Sequence, residues 1–555
     1  MRGAFFMGAA ALVAAMLAAP SLAQTGADKG AALTGIVTSA QEGAMEGVLV
    51  TAKRDGATIS TTVVTDEKGQ YRFPAARLPA GHYTLKIRAE GYDLASGNAA
   101  DVSSGKAATA NLTLKPTSDL EAQLTNAEWL MSMPGTDEQK RPLGDCTNCH
   151  TLRLITRSRF TEKDFERLIP LMGTYAPGSQ PGRHQIIPPG PRGNRGISDE
   201  ATIKSLATYL ATINLSQTGQ QTYALKTLPR PSGRATHVIM TTYDLPRPNA
   251  EPHDAIMVRG HIYYSDFGSQ ILGELDPATG QVTDYPLPVL KPAEPKGTLA
   301  LQADKAGNVW TALMYQGGIA KLDAVTKKVT AYSIPDEWQN ASTQETFLAV
   351  SSSDVDGKVW TNDQSDHSFL RFDLPTGKYE KLPLLKDQNG ETISAYGLPA
   401  DAKNNIFPLE FSGARTKIGR IDAQTQKLTS WKSSLGQARA RRGAFDDQGI
   451  LWFGEFGSDA IGRLDPVTGT LQEWKTPLPW TMPYDAIKAN RTGDIWTGSM
   501  LNDRITRFNP QTMLWIDYLT PDEINIRRVF FDDATNSFWA GSNHKPTIVK
   551  LEPLD

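Results

Sequence analysis

Both cysteines of the 555-residue chain lie in one segment, Cys146-Thr147-Asn148-Cys149-His150, here called the CTNCH segment. Two thiols three positions apart, followed at once by an imidazole, match the C-x-x-C-H pattern through which haem is attached to protein. The spacing lets both sulfurs reach the two vinyl groups on one edge of a porphyrin, and it leaves the histidine beside the iron. The sequence therefore predicts one covalent haem c, with Cys146 and Cys149 as attachment sites and His150 as an iron ligand.

A pair of cysteines with this spacing can instead form a redox disulfide. Such pairs normally lie at the N-terminus of a helix in a βαβ unit, whereas the sequence around Cys146 predicts helices without strands. The helical surroundings and the adjacent His150 favour the haem interpretation.

A second axial ligand of the iron would have to come from elsewhere in the chain. Between His150 and the last predicted helix of this region the only methionine is Met172, in LIPLMGTYAP. A thioether there would raise the reduction potential relative to two histidine ligands. His184, in a loop rich in proline and glycine, is the alternative ligand, and an iron with an open site is a third possibility. Met172 could also be a core residue beside Leu168.

The elements around the CTNCH segment are predicted to be helices. Thr161 and Asp164 form a capping-box pattern before FERLIPLM, and residues 199–213 carry apolar side chains at helical spacing. Residues 120–215 resemble class I cytochrome c domains, because CTNCH leads the region and IKSLATYLATI is similar to the closing helix of that family. The resemblance implies a small all-α haem domain. Residues 120–215 lack the late methionine loop that is usual in the family. The resemblance therefore does not identify the second axial ligand of the iron.

The first residues of the chain have the pattern of an export signal. Arg2 precedes an apolar stretch over residues 4–19, and small residues surround Ala23. This order is typical of a Sec signal peptide over residues 1–23, although a membrane anchor is the alternative. The stretch is short for a spanning helix, and no later segment is long and apolar enough to span. We expect a periplasmic protein, and a net charge of −3 gives no basis for a nucleic-acid partner.

Residues 33–115 have the pattern of a small β-domain. Period-two runs such as GVLVTAKR and YTLKIRAE are separated by turn signals, among them Asp55-Gly56 and Lys68-Gly69. The segment TDEKGQYRF, followed by LPAGHYTLKIRAEGY, resembles the carboxypeptidase regulatory-like family. That resemblance implies a transthyretin-like β-sandwich with a structural or adhesive role.

From residue 235 to residue 555 an internal repeat dominates. An aromatic residue follows a turn every 43 to 50 positions, and an acidic residue or asparagine follows each aromatic. The aromatic positions are Tyr264, Trp310, Trp360, Phe407, Trp452, Trp496 and Trp539. This period is typical of a four-stranded blade, so seven units predict a seven-bladed β-propeller. The strand at residues 237–246 precedes the first unit and is expected to complete the last blade.

The repeat LWFGEFGSDAIGRLDPVTG resembles the streptogramin (virginiamycin B) lyase family. In that family a histidine base and a divalent metal open a lactone ester, so the resemblance implies His253 as base, Glu455 as an acidic group and a possible Mg²⁺ or Ca²⁺. The family's further histidine and glutamate in one late blade are not reproduced here. His544 is the candidate replacement.

Arginines collect just before the apolar strands of two units, where residues are expected to line the central channel. They are Arg439, Arg441, Arg442, Arg527 and Arg528. Arginine binds carboxylates and phosphates through a bidentate fork, so convergence of Arg441, Arg442 and Arg528 would favour a small anionic substrate, or an aromatic one. The structural alternative is ion pairing between blades.

Together these patterns predict a multidomain, mainly β protein with a β-sandwich, an all-α cytochrome c domain and a seven-bladed propeller. The first functional hypothesis is an oxidoreductase or electron-transfer protein that works with a periplasmic donor or acceptor. A metal-assisted lyase or hydrolase in the propeller is the second, and a non-catalytic electron-transfer scaffold is the third.

Overall fold

The computed structural model describes residues 30–188, 199–215, 222–340, 342–411 and 416–555. The predicted signal peptide lies outside these residues. The described chain is mainly β, with a helical segment between two β-structured parts. Within it, no helix combines the length and the apolar character needed to cross a membrane.

The N-terminal part is a β-sandwich, as its alternating sequence predicts. Its strands are β1 (Ala31–Ser39), β2 (Gly43–Ala44), β3 (Leu49–Arg54), β4 (Ile59–Val64), β5 (Gln70–Pro74), β6 (Gly81–Arg88), β7 (Tyr92–Ser96), β8 (Ala99–Val102), β9 (Ala108–Thr109) and β10 (Leu112–Pro116). One sheet has the order β2-β1-β10-β7, with β5 and β9 also on β1, and the other runs β4-β3-β6-β8. Alternate residues such as Phe73 and Leu85 point into the shared core.

Short helices carry the chain from the sandwich to the propeller. They are α1 (Asn126–Ser132), α2 (Asp137–Lys140), α3 (Leu143–Cys146), α4 (Leu152–Thr156), α5 (Glu162–Met172) and α6 (Glu200–Ile213). The predicted capping box at Thr161 and Asp164 starts α5, and Thr125 with Glu128 starts α1 in the same way. Three single 3-10 turns lie at Leu120–Ala122, Gly233–Thr236 and Asp336–Trp338. Helices α1, α5 and α6 lie where the sequence predicts helices. The fold does not make an all-α cytochrome c domain evident, and that assignment stays a prediction.

The C-terminal part is built from successive antiparallel sheets, the architecture of a β-propeller. After β11 (Val238–Asp244) the strands are β12 (Pro252–Val258), β13 (His261–Asp266), β14 (Ile271–Leu275), β15 (Val282–Pro286), β16 (Leu301–Ala303), β17 (Val309–Ala312), β18 (Gly318–Leu322), β19 (Val329–Ser333), β20 (Glu345–Ala349), β21 (Lys358–Asp363), β22 (Ser368–Asp373), β23 (Lys378–Lys381), β24 (Lys417–Ile421), β25 (Leu428–Lys432), β26 (Ala440–Phe445), β27 (Leu451–Glu455), β28 (Ala460–Asp465), β29 (Thr470–Lys475), β30 (Pro483–Lys488), β31 (Ile495–Ser499), β32 (Arg504–Asn509), β33 (Leu514–Leu519), β34 (Phe530–Asp532), β35 (Ser537–Gly541) and β36 (Thr547–Pro553).

Strand pairing divides these strands into seven blades. Blades 1 to 3, 5 and 6 are four-stranded meanders that begin at β12, β16, β20, β26 and β30. Blade 4 contains β24 and β25, extended inward by isolated bridges such as Gly397 to Leu409. Blade 7 contains β34, β35, β36 and β11, so the strand before the first unit completes the last blade, as the sequence predicts. Strand β12 also contacts β35 of blade 7, which closes the ring.

The sandwich and the propeller share one continuous sheet. Strand β11, on the outside of blade 7, pairs on its other edge with β4 from Ile239 to Tyr243, which produces the order β34-β35-β36-β11-β4-β3-β6-β8. Ile239 is also buried in the sandwich core. An outer strand of a blade has an unpaired edge, and the sandwich satisfies that edge with backbone hydrogen bonds. The two parts are therefore joined by a ladder as well as by the chain.

The first prediction concerns closure of the ring. A Cβ atom at Gly541 on β35 would lie 2.1 Å from the carbonyl oxygen of Pro252 on β12. We expect Gly541→Ala to lower the free energy of unfolding by at least about 1–3 kcal/mol, because a backbone atom of the facing blade would have to move. Denaturant unfolding checks this. Gly436→Ala is the matched control, since nothing lies within 4 Å of a Cβ there. Equal stability of the two variants would contradict the close packing.

Candidate functional site

The CTNCH segment begins at the end of a helix and lies against the propeller. Cys146 is the last residue of α3, and the Thr147 hydroxyl donates to the Gly144 carbonyl at 2.8 Å, which turns the chain there. Both cysteines are half-buried free thiols. A Cβ at Gly144 would lie 2.9 Å from the sulfur of Met482 in the propeller, which shows how closely the helix approaches that side chain.

The imidazole of His150 is oriented by a backbone group. Its Nδ1 lies 3.0 Å from the Thr151 carbonyl oxygen, which can only accept, so Nδ1 carries the proton and Nε2 presents its lone pair. Burial lowers the pKa of His150, which favours the neutral ring. A neutral imidazole with Nδ1 held by a carbonyl is the form that ligates a metal through Nε2. Two free thiols and this nitrogen form the donor set that covalent haem requires.

The surroundings of the two thiols disfavour a redox disulfide. Burial raises the pKa of Cys146 to about 12, with Asp145 adding to the effect. Burial also raises the pKa of Cys149 to about 11, with Glu251 adding to the shift and Arg527 opposing it only in part. Reactive cysteines need lowered pKa values, which a helix N-terminus or a nearby cation provides. Cys146 instead lies at a helix C-terminus, where the dipole opposes a thiolate.

Blades 6 and 7 hold the CTNCH segment through its backbone. Asn525 Nδ2 donates to the Thr147 carbonyl at 3.3 Å, and His544 Nε2 donates to the same oxygen at 2.8 Å. Arg527 donates to the side-chain oxygen of Asn148 at 3.1 Å and to its carbonyl at 3.3 Å. Since His544 Nδ1 also lies 3.1 Å from Glu523, its ring is occupied in positioning the segment.

Beneath the segment lies a group of five side chains, here called the arginine–tyrosine cluster: half-buried Tyr396 and buried Arg441, Arg442, Tyr484 and Arg527. The guanidinium carbons lie 4.3, 5.9 and 5.3 Å from the centroid of the Tyr484 ring. The hydroxyl groups of Tyr396 and Tyr484 are hydrogen-bonded to each other. The structure thus brings the predicted Arg441 and Arg442 together on one aromatic ring.

Irregular pairing at the start of the inner strands produces this convergence. The register between β26 and β27 shifts between Ala440 and Gly443, and that between β30 and β31 shifts between Pro483 and Ala486. In a regular strand, neighbouring side chains point to opposite faces, whereas a bulge re-aims them. Consecutive residues such as Arg441 and Arg442 are therefore both buried near the propeller axis.

The positive charges of the cluster act on Tyr484. Burial alone would raise the pKa of its phenol, but Arg441, Arg527 and Arg442 outweigh burial and lower it. Burial raises the pKa of its partner Tyr396. The pair therefore contains two hydrogen-bonded phenols whose pKa values are shifted in opposite directions. The sequence does not single out Tyr484, although its place directly before an apolar strand is a signal that could identify it.

His253 and two of the predicted arginines lie in buried charge networks. His253 Nδ1 lies 2.7 Å from Asp254, and Arg442 donates to both oxygens of Asp254 at 2.7 and 2.6 Å. Burial lowers the pKa of His253 to about 3, so the ring is neutral, and its Nε2 is buried without a hydrogen-bond partner. Arg528 lies 3.4 Å from Asp485. Arg442 and Arg528 thus form ion pairs between blades, which is the structural alternative that the sequence left open for them.

Glu455 lies apart from this network. It is buried at the end of β27, where burial and Glu473 raise its pKa well above the ordinary value, and it contacts Ser458. Among the residues that the structure describes, no contact joins Glu455 to His253, and no group of three or more His, Cys, Asp or Glu side chains could hold a metal ion. The Mg²⁺ or Ca²⁺ suggested by the family resemblance stays a prediction.

The two candidates for the second axial ligand are exposed. Met172 is the last residue of α5 and is 46% exposed. The His184 ring stacks on Tyr175 with 4.7 Å between centroids. Two further methionines, Met482 and Met500, are buried in the core that the helices share with the propeller, where half-buried Cys146 also packs. The sequence does not single out these two, because only the fold brings their strands to the segment.

Glu251 is a buried acid at the same end of the propeller. Burial raises its pKa to about 8, although Gln180, Arg183 and Arg527 oppose the shift. Its carboxyl group is therefore protonated at neutral pH, and one of its oxygens has no hydrogen-bond partner.

The raised pKa makes stability depend on pH in a defined direction. Between its unfolded pKa of about 4.5 and its folded pKa of about 8, Glu251 binds more protons in the folded state, so stability falls as pH rises. We expect Glu251→Gln to remove this loss, which makes the variant more stable than the parent by roughly 4 kcal/mol at pH 8.5 and closest to it near pH 5. Urea unfolding across this range checks it, with exposed Glu67→Gln as control. A stability difference that does not grow with pH would contradict the assignment.

Comparison with protein families agrees with the β-sandwich at the N-terminal part of the chain. Residues 32–115 match the carboxypeptidase regulatory-like domain. No curated protein matches the chain. Among solved structures, virginiamycin B lyase from Staphylococcus aureus aligns with a TM-score of 0.49 and 17% identity, over 57% of this chain and 99% of the lyase. A streptogramin B lyase structure aligns with a TM-score of 0.48 and 18% identity, over 58% and 99% of the two chains.

Proposed function

We propose that this protein is a periplasmic haem c protein that carries single electrons between a site at the propeller axis, or a partner docked there, and a periplasmic electron donor or acceptor. The observation that carries the proposal is the CTNCH segment itself, which offers two free thiols and an oriented imidazole directly against the arginine–tyrosine cluster. Cys146 and Cys149 would hold the haem and His150 would ligate its iron. When bound, haem supplies one-electron transfer at a potential set by its ligands and surroundings.

The residues around the segment have defined tasks in this proposal. The Thr151 carbonyl holds the proton on His150 Nδ1 and so keeps Nε2 available. His544, Asn525 and Arg527 bind the segment to blades 6 and 7, which fixes its distance from the propeller axis. A segment held in this way would move little when the charge of a bound haem changes.

The test uses the full chain produced in a bacterium that attaches haem c. Haem staining after denaturing electrophoresis should follow the protein band, and the reduced pyridine derivative should show one haem per chain. Candidate aromatic alcohols, aldehydes and organic acids are then added, and the ferrous α-band is followed. Absence of covalent haem would overturn the proposal. Chelator-sensitive turnover without reduction of the haem would instead support the lyase hypothesis, and electron exchange without turnover would support the scaffold.

The second axial ligand has a prediction of its own. We propose Met172 as that ligand, with His184 as the alternative. Met172→Ala is expected to lower the midpoint potential and to alter the absorbance spectrum, because a thioether ligand favours ferrous iron. His184→Ala is the matched control and should leave both unchanged. A change confined to His184→Ala would assign the ligand to the histidine, and no change in either variant would exclude both.

A further inference from the structure

Arg441 is a buried cation without a close counter-ion. Its side chain is 3% exposed, and its guanidinium lies within 5 Å of the ring centroids of Tyr396, Phe411, Phe456 and Tyr484. Its nearest carboxylate is Asp145, at 4.0 Å, and that group binds Arg439 at 3.1 Å. Its Nε has no hydrogen-bond partner.

Arg527 is a second such cation near Tyr484, with its guanidinium carbon 5.3 Å from the centroid of that ring. The residue is 2% exposed, and its hydrogen bonds go to Asn525 and Asn148, which are neutral. Within the described parts of the chain it forms no ion pair. Glu251 acts on it only at longer range and is protonated at neutral pH.

Other charges nearby are already compensated. Arg442 is paired with Asp254, and Arg528 with Asp485. Two net positive charges therefore remain buried at the face of the propeller that carries the CTNCH segment. Desolvation of an unpaired ion costs more free energy, even after relaxation, than the attraction between a cation and aromatic rings recovers. The rings alone do not offset the burial of both guanidinium groups.

We propose that Arg441 and Arg527 form a binding site for an organic carboxylate at the axial face of the propeller, directly beside the CTNCH segment. A carboxylate matches the planar fork of arginine, and the aromatic rings around Arg441 suit a planar organic group. The carboxylate has two sources. It belongs either to the propionate groups of the bound haem or to a free small acid. The site itself is inferred from the contacts of Arg441 and Arg527. Only the assignment of the carboxylate to haem propionates rests on the proposed function.

Benzoate is the probe, and benzamide is its uncharged counterpart. Calorimetric titration of the full-length protein at pH 7 should show binding of benzoate and at least tenfold weaker binding of benzamide. Arg441→Gln and Arg527→Gln should each weaken benzoate binding at least tenfold. Arg463→Gln is the matched control, because that guanidinium lies 5.9 Å from the Trp452 ring on an outer part of blade 5. Arg527→Lys keeps the charge without the fork and covers the case in which glutamine prevents folding.

The arms of the experiment separate the two sources. If benzoate binds to the haem-loaded protein, and binding is weakened by both Arg441→Gln and Arg527→Gln, the natural ligand is a free acid. If benzoate binds only to the haem-free chain with Cys146→Ser and Cys149→Ser, and Arg527→Gln shifts the midpoint potential of the haem-loaded protein, the ligand is the haem carboxylates. A protein that carries no haem but binds benzoate would overturn the proposed function and leave the carboxylate site standing. No binding in either form, or binding unchanged in both arginine variants, would overturn the site.

Discussion

Replacing Cys146 and Cys149 together by alanine is expected to remove all covalently attached haem from the protein. The two thiols are the only ones in the chain, so no other side chain can form a thioether bond with a vinyl group. Haem staining after denaturing electrophoresis should fall from one haem per chain to background. The measurement separates covalent attachment from simple binding, because denaturation releases haem that is held only by His150.

The single variants serve as internal controls for this prediction. Cys146→Ala and Cys149→Ala each keep one thiol, and each should retain one bond to the haem and shift the ferrous α-band of the pyridine derivative, since one vinyl group stays unsaturated. Both thiols are half-buried, so alanine removes little packing. Haem that remains covalently bound in the double variant would contradict the assignment, as would a parent protein without haem.

Replacing Asp254 by alanine is expected to destabilise the protein by about 3–5 kcal/mol, because it leaves Arg442 buried without its counter-ion. The carboxylate is fully buried and accepts hydrogen bonds from Arg442 in blade 5 and, at 3.0 Å, from the backbone of Leu301 in blade 2. It also holds the His253 ring in blade 1. One side chain therefore connects three blades, and its loss should loosen the ring as a whole. Denaturant unfolding measures the change.

Two comparisons make this result interpretable. Glu380→Ala breaks the half-exposed pair with Arg371 on blade 3 and should cost no more than about 1 kcal/mol, because solvent screens such pairs. Adding Arg442→Met to Asp254→Ala should recover much of the lost stability, since both buried charges are then gone. Similar destabilisation in Glu380→Ala and Asp254→Ala, or no recovery in the double variant, would show that the ion pair does not carry the effect.

Much of the fold follows from local patterns in the sequence. Alternating residues predict the sandwich strands, and the 43- to 50-residue spacing of one aromatic predicts the blades and even the closing strand β11. These signals are readable because each is set by residues a few positions apart. The pairing of β11 with β4 cannot be predicted in this way. It joins two strands that are far apart in the sequence, so it depends on how the sandwich packs against the outer edge of blade 7.

The same division holds for the candidate site. The haem prediction rests on five consecutive residues, whose covalent spacing is sufficient to place two thiols and an imidazole for one cofactor. The arginines are different, because the sequence leaves two roles open for them. Their surroundings decide between the roles: Arg442 meets a carboxylate 188 positions away, whereas Arg441 meets aromatic rings.

The sequence by itself therefore determined the β-sandwich and the repeat of the propeller, and it is the basis for the haem attachment proposed at Cys146 and Cys149. Only the tertiary structure decided that Arg527 reaches Asn148 across 379 positions, and that buried Arg441 has no carboxylate nearer than Asp145 at 4.0 Å. The physical reason is that spacing along the chain specifies local geometry, whereas burial and counter-ions are supplied by residues from other blades. Bulges at the start of the inner strands then settle which neighbouring side chains face the axis.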